Sequence, residues 1–178
     1  MRYTSVRGII TMNKDPNIKI YVVCHKPSYV PENPYLCPIQ VGTALSGNKL
    51  EGMLHDNEGD NISDRNKTYC ELTAQYWAWR NDDADYYGFF HYRRYFAFDP
   101  SITREDGWGN IVYDRIDDEA IKELKLDPVT MKKIITQYDV ISVKGRKYPQ
   151  EAEEDCPMDV YHEYGVVPFQ HRKDLDLT

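Results

Sequence analysis

The sequence predicts an α/β layer fold with a largely parallel sheet, and three observations carry that prediction. Short apolar runs rich in β-branched or aromatic residues stand at residues 18–24, 86–90 and 139–143. Between and after them lie stretches with helical spacing, at residues 63–81, 117–125 and 127–138. The first two runs end directly in polar residues, which turn the chain out of the sheet. Strands that alternate with helices build βαβ units, and these give parallel sheets covered by helices. The 178 residues fit one domain, since domains run roughly 100–200 residues. We expect an N-terminal extension at residues 1–17 and a single domain over residues 18–178.

The elements follow in order. IKIYVVC, residues 18–24, is a buried strand that runs into His25-Lys26-Pro27. Residues 28–62 are broken by Pro31, Pro34, Pro38, Gly42, Gly47, Gly52 and Gly59, which predicts a long loop with one short strand near residues 37–41. A helix over residues 63–81 comes next, capped by Ser63 or Asp64. Tyr69, Leu72, Tyr76 and Trp79 recur at helical spacing, Cys70, Thr73 and Trp77 widen that apolar face, and Asp82-Asp83 stops the helix. YYGFF, residues 86–90, is a second central strand and leads into HYRRYF. Asp117 caps a short helix through Lys125, and Asp127-Pro128 opens another through Tyr138, with Pro tolerated at the first helical position. Residues 139–143 form a third strand, and Asp155-Cys156-Pro157 starts a last short helix.

Composition narrows the function. The N-terminus has only Gly8-Ile9-Ile10 where a secretory signal needs roughly 7–15 apolar residues, so no export by that route is expected. No apolar run approaches the ~18 residues of a membrane span. Cys24, Cys37, Cys70 and Cys156 include no CxxC pair, which argues for reduced, packed thiols. The net charge is -7, and the acidic excess lies entirely beyond residue 98. A polyanion binder shows the reverse, so nucleic acid is not an expected partner. The partial likeness of YGFFHY to an RNA-recognition signature is coincidental on that ground. The 15 Tyr against 5 Phe suit a polar, partly hydrated cleft, including one that holds sugars, because each ring carries a polar tip.

Two constellations bear on chemistry. In open α/β sheets ligands bind beyond the carboxyl ends of the strands. Two strands here end in polar clusters, Cys24-His25-Lys26 and His91-Tyr92-Arg93-Arg94. If the two strands are parallel neighbours, Lys26, Arg93, Arg94 and both His share one rim that favours a phosphate or diphosphate. The competing reading pairs Arg93 and Arg94 with the acidic surface. The second constellation is the loop HDNEGDNIS, residues 55–63. It is rich in oxygen ligands, but its Gly stands at the wrong place for an EF-hand and no closing Glu follows. A solvated, helix-capping loop or a ligand-binding loop are the alternatives.

The strings IKIYVVCHKP, YLCPIQVG, DNEGDNIS, NKTYCELTAQYWAWRN and DYYGFFHYRRYF, followed by YDVISVKGRKY and VYHEYGVVPFQHRKDLD, resemble a bacterial family of capsular- and exopolysaccharide glycosyltransferase-like proteins. This is the domain-of-unknown-function 4422 family, and the match covers residues 18–176. The resemblance implies a GT-A-like nucleotide-diphospho-sugar transferase fold. It also implies transfer of a sugar from a UDP-sugar to a glycan or lipid-linked glycan acceptor, some members being associated with galactofuranose. Members continue past the HRKDLD-like block, which implies an incomplete fold here. A cytoplasmic location near the inner face of the membrane would suit such acceptors.

Many GT-A enzymes hold a divalent metal with an Asp-x-Asp at the end of a central strand. Here His91-Tyr92-Arg93-Arg94 occupies that place. Asp83-Ala84-Asp85 lies at the opposite end of the strand and Asp174-Leu175-Asp176 near the terminus. We therefore expect no cofactor and favour cations over a divalent metal, which stays the alternative, for neutralising the leaving group. Under this reading the donor-binding candidates are His25, Lys26, Asp60, Asn61, Ser63, Asn66, Tyr69, His91, Arg93 and Arg94. His171 is a candidate for the acceptor side. An inverting transfer needs a base, commonly a carboxylate, and only Asp56 and Asp60 offer themselves as guesses. The second expectation, of a different class, is a non-catalytic remnant that binds a nucleotide sugar or polysaccharide without turnover.

Overall fold

Burial alternates from side to side along the first strand, and that alternation sets up the layers. The computed structural model describes residues 15–99, 101–102, 104 and 110–142. In it β1 spans Ile18–Cys24. Ile18, Ile20, Val22 and Cys24 pack on one side with Leu36, Phe90, Leu124, Leu126, Met131 and Ile135. Tyr21 and Val23 pack on the other with Ile39, Val41, Ala74, Trp77 and Ala78. A strand covered on both faces must be apolar at nearly every position, so the period of two is hidden in its sequence.

Three further strands complete the sheet: β2 (Leu36–Gln40), β3 (Leu54–His55) and β4 (Tyr86–His91). All pair in parallel, in the order β3-β2-β1-β4. The chain builds outward from β1 to β3 and then returns to the other side of β1 with β4. The order therefore reverses between β1 and β4, the position where such sheets open a crevice. Register places Val23 beside His91 and Cys24 beside Gln40. Close approach of β1 and β4 depends on Gly88, where a Cβ would lie 3.0 Å from Ile20 Cγ1.

The helices are α1 (Thr43–Ser46), α2 (Asn66–Tyr69), α3 (Leu72–Asn81), α4 (Asp118–Glu123) and α5 (Pro128–Ile135). A 3-10 turn, Ser63–Arg65, precedes α2. Helix α3 covers the Tyr21–Val23 face, and Ala120, Leu124, Leu126, Met131 and Ile135 lie on or after α4 and α5 as buried residues. Asp117 and Asp127 cap α4 and α5 as expected, accepting from the N–H of Ala120 and Thr130 at 3.1 and 2.9 Å. Asp82 ends α3 and accepts from Lys19 Nζ and from the Tyr21 hydroxyl. Burial opposes its ionisation, but those two hydrogen bonds outweigh it and hold the carboxyl below its ordinary pKa.

The structure corrects several expectations. The helix expected over residues 63–81 breaks at Cys70, whose φ is 48°. There the Asn66 side-chain amide donates to the Cys70 carbonyl, in place of a continuous backbone ladder. Ser63 does not cap the helix, because its hydroxyl turns inward to Asp56. The buried face of α3 is Thr73, Ala74, Trp77 and Ala78, while Leu72 is 50% and Trp79 69% exposed. Alanines one turn apart let the helix lie close on the sheet, and only Trp77 among the large residues reaches Tyr21, edge-on at 6.0 Å.

Helices α4 and α5 stop short of residues 125 and 138. The loop over residues 28–62 holds α1 and the short β3 besides the expected strand. Residues 139–142 form no strand, and Val140 is turned to solvent. An apolar run specifies burial more strongly than pairing. The helix expected from Asp155 lies outside the described residues. Cys24, Cys37 and Cys70 are free thiols; burial pushes Cys24 up to about 11. The chain divides into two compact units, residues 1–142 and 143–178, and the second lies outside the described residues.

Candidate functional site

The parallel pairing of β1 with β4 brings their carboxyl ends side by side. His25 and Lys26 leave β1 there; His91, Arg93 and Arg94 leave β4. His25, Lys26, His91 and Arg93 gather around Tyr92, which is only 9% exposed. Lys26 Nζ stands 5.6 Å and Arg93 Cζ 5.3 Å from the Tyr92 ring centre. The His25 ring meets Tyr92 edge-on at 5.3 Å, and the His91 ring lies 4.3 Å away. Two positive heads beside one ring repel one another, and the ring's negative faces offset part of that cost. Arg94 folds back beside His91, donating its backbone N–H to the His91 carbonyl at 2.8 Å.

Among the described residues, no carboxylate forms an ion pair with Lys26, Arg93 or Arg94. The pairing of Arg93 and Arg94 with the acidic surface is therefore not seen within the described residues. His91 records the resulting field. Burial and the Arg93 charge lower its pKa, Glu71 acts in the opposite direction, and Arg94 and His25 lower it further. Its Nδ1 accepts the Arg93 backbone N–H at 3.2 Å, which leaves Nε2 to carry the proton of the neutral ring.

A second cluster lies beyond β2 and β3 on the same edge of the sheet. Asp56 is fully buried, and its backbone N–H donates to the Gln40 carbonyl at the end of β2. Its carboxylate accepts four hydrogen bonds, from Gly42 N at 2.8 Å, Thr43 N at 3.0 Å, Ser63 Oγ at 2.5 Å and Thr73 Oγ1 at 2.7 Å. Ser63 Oγ in turn accepts from Ala44 N. Asn66 donates to Thr73 Oγ1 at 3.0 Å and packs against Gly42, where a Cβ would meet its Oδ1 at 2.8 Å. Asp56 and Ser63 thus join α1, the 3-10 turn and α3, with both Asp56 oxygens engaged. Tyr69, on α2, is half-buried.

Asp60 and Asn61 are elsewhere. The Asp56–Asp60 loop runs along α3, with Trp77 Nε1 donating to the Glu58 carbonyl and Asn81 Nδ2 to the Asp60 carbonyl. Asp60 accepts from Arg80 Nε at 2.6 Å and from the Tyr76 hydroxyl at 3.0 Å. Those two bonds, Arg80 first, hold its pKa below the usual carboxylate value. Arg80 belongs to the last turn of α3, about 12 Å along the ten-residue helix from its first residue. Asp60 is therefore at the far end of α3 from Thr73 and the sheet's carboxyl edge. Asn61 closes a local turn, accepting from Ser63 N and donating to the Asn57 and Gly59 carbonyls. His171 and Asp174-Leu175-Asp176 lie outside the described residues.

Tyr92 is the participant to which the sequence reading gave no role. The signal was present: alternation along β4 sends His91 and Tyr92 to opposite faces, so Tyr92 is buried between the flanking cations. The donor set at the end of β4 does not fit a divalent ion, because Lys and Arg offer no lone pair and repel a cation. Asp83 and Asp85 stand at the start of the strand, where Asp85 accepts from Asn17 N. Among the described residues there is no group of three or more His, Cys, Asp or Glu that could hold a metal, and no helix is long and apolar enough to cross a membrane.

Residues 19–178 match the family described as "Domain of unknown function (DUF4422)". Among solved structures, the chain is similar to the bifunctional glycosyltransferase WbbM, with 44% identity and a TM-score of 0.63. The likeness covers 66% of this chain and 21% of that one, so the chain spans about a fifth of WbbM's length. No curated protein matches the chain. With its parallel sheet flanked by helices, the fold is GT-A-like.

Proposed function

The chain belongs to the DUF4422 family, and from that premise we propose that it is a glycosyltransferase domain whose β1–β4 rim holds the diphosphate of a UDP-sugar. The observation that carries this reading is the set of cations at the strand-order reversal, Lys26, Arg93 and Arg94, which have no ion-pair partner among the described residues. The likeness to a glycosyltransferase supports it independently. In transfer, the bond from the sugar's anomeric carbon to the β-phosphate oxygen breaks and negative charge develops on UDP. Guanidinium groups with bidentate N–H donors, already in place, stabilise that charge without reorganisation. The acceptor in this proposal is a growing surface polysaccharide, free or lipid-linked, on the cytoplasmic side of the membrane. Galactofuranose is one donor sugar to test.

The proposal assigns no metal, and Asp56 is not given the role of base, since its oxygens already accept four hydrogen bonds. That engagement, with Asp60 at the far end of α3, favours a second reading in which the domain binds the donor without turning it over. One experiment separates the two. The chain is incubated with a panel of UDP-sugars and a glycan acceptor, with and without EDTA, and UDP release is followed by mass spectrometry. Release that survives EDTA supports cation-held transfer; binding without release supports the second reading. Loss of all UDP-sugar binding on chelation would refute the role given to Lys26, Arg93 and Arg94.

A further inference from the structure

We infer that Glu71 sets specificity for the donor sugar, its carboxylate accepting hydrogen bonds from sugar hydroxyls beside the cations that hold the diphosphate. This inference rests on the donor-binding reading above and gives a ligand-binding role to a residue that the donor-binding set leaves out.

Position comes first. Thr73 bonds Asp56, which is anchored to the end of β2, so α3 begins at the carboxyl edge of the sheet. Its buried face meets Tyr21 and Val23, and Val23 is the register partner of His91. Alternation along β4 puts His91 on the same face as Phe89, which packs against the α3 side of the sheet. Glu71 immediately precedes α3 and lies one turn before Ala74, a pair that shares a helix face. The geometry therefore carries Glu71 past the end of the strand toward His91. His91 responds to it: Glu71 is the one acidic group that opposes the fall in its pKa.

Chemistry comes second. Glu71 is exposed, makes no side-chain cap for α3 and has no ion-pair partner among the described residues. The other charged or titratable groups that bear on His91 are Arg93, Arg94 and His25. A carboxylate at a rim that holds a diphosphate repels the phosphates, so it contributes only if it faces hydrogen-bond donors. The neutral hydroxyls of the sugar are the donors of the ligand, and an ionised carboxylate accepts from two of them at once. Cations for the anionic part and a carboxylate for the neutral part divide one ligand between two kinds of group.

The test compares UDP with UDP-galactopyranose, UDP-galactofuranose, UDP-glucose and UDP-N-acetylglucosamine. Each is titrated calorimetrically into the full chain and into Glu71→Ala and Glu71→Gln. The unsubstituted chain is expected to bind one of the sugars more tightly than UDP. Glu71→Ala should weaken that sugar by about tenfold to a hundredfold, the range for hydrogen bonds to a charged group. Glu71→Gln should lose less, because its carbonyl still accepts. UDP itself should bind both variants as well or slightly better, since a negative charge has left the rim. Equal weakening of UDP and the sugar, or no weakening of either, overturns the role of Glu71 while leaving the cationic site standing. So does a panel in which no sugar exceeds UDP. Failure of the unsubstituted chain to bind UDP overturns the donor-binding reading and this inference with it.

Discussion

Two polar clusters share one edge of this sheet, and they do opposite things with charge. Beyond β2 and β3, Asp56 is buried and surrounded by four donors, so its charge is consumed by the fold. Beyond β1 and β4, Lys26, Arg93 and Arg94 are exposed and carry no ion pair among the described residues. A charge satisfied by backbone and hydroxyl donors stabilises a structure; like charges held together without counter-ions raise its energy until an anion arrives. The difference teaches that burial and partners, rather than residue type, tell a positioning group from a binding group.

The contrast can be broken or sharpened by substitution, starting with the largest expected effect. Asp56→Ala strands two backbone N–H groups and two hydroxyls in a buried site and is expected to cost at least about 3 kcal/mol of stability. Urea unfolding measures it, and a loss under about 1 kcal/mol would mean that the network is not what holds α1 to α3. Gly88→Val drives methyl groups against Ile20. It is expected to cost about 1–3 kcal/mol, as overpacking does; an unchanged melting temperature would show that β1 and β4 can separate without penalty.

Arg93→Ala reverses the pattern of Asp56→Ala. UDP affinity should fall about tenfold or more, while stability changes by no more than about 1 kcal/mol, the worth of an exposed cation–π contact. Equal losses of binding and folding would make Arg93 a structural residue. The smallest effect is on pH. Burial and the nearby Arg93 hold His91 below its ordinary pKa, so it is neutral at pH 7 and gains a proton only below about 6.5. In that window the unfolded chain binds more protons than the folded one, so the free protein loses stability as pH falls. A UDP-sugar's diphosphate diester does not titrate there, and its affinity should rise on acidification by no more than about fivefold, the worth of one charge about 4 Å away in water. Calorimetry across that range checks the sign; a fall in affinity would remove His91 from the rim.

Legibility in the sequence differed by element and by site. β1, β2 and β4 were readable because an apolar run bounded by polar or turn residues has few other uses. Asp117 and Asp127-Pro128 announced α4 and α5, because capping chemistry is local. Helix α3 was placed, and Thr73 and Trp77 of its expected apolar face are buried, but Leu72 and Trp79 of that face are exposed and Ala74 and Ala78 take their place. Size in sequence favours Leu72 and Trp79, while close approach to the sheet favours Ala74 and Ala78. The break at Cys70 was invisible, since Cys has no preference for positive φ and the bond from Asn66 that holds it is a side-chain contact. At the site, His25, Lys26, His91 and Arg93 were named from strand ends alone and stand together around Tyr92. Asp56, Asp60 and Asn61 came from one oxygen-rich string, and the structure separates them: one buried, one paired with Arg80, one closing a turn.

By itself the sequence determined the layers and the place where cations would collect, because apolar patterning and strand-end chemistry act over a few residues. Tertiary structure alone decided that β1 and β4 are neighbours, that Asp56 is occupied, and that Glu71 stands on the side of His91. Those facts depend on pairings between residues far apart in the chain, where register and burial fix which charges find partners and which are left for a ligand.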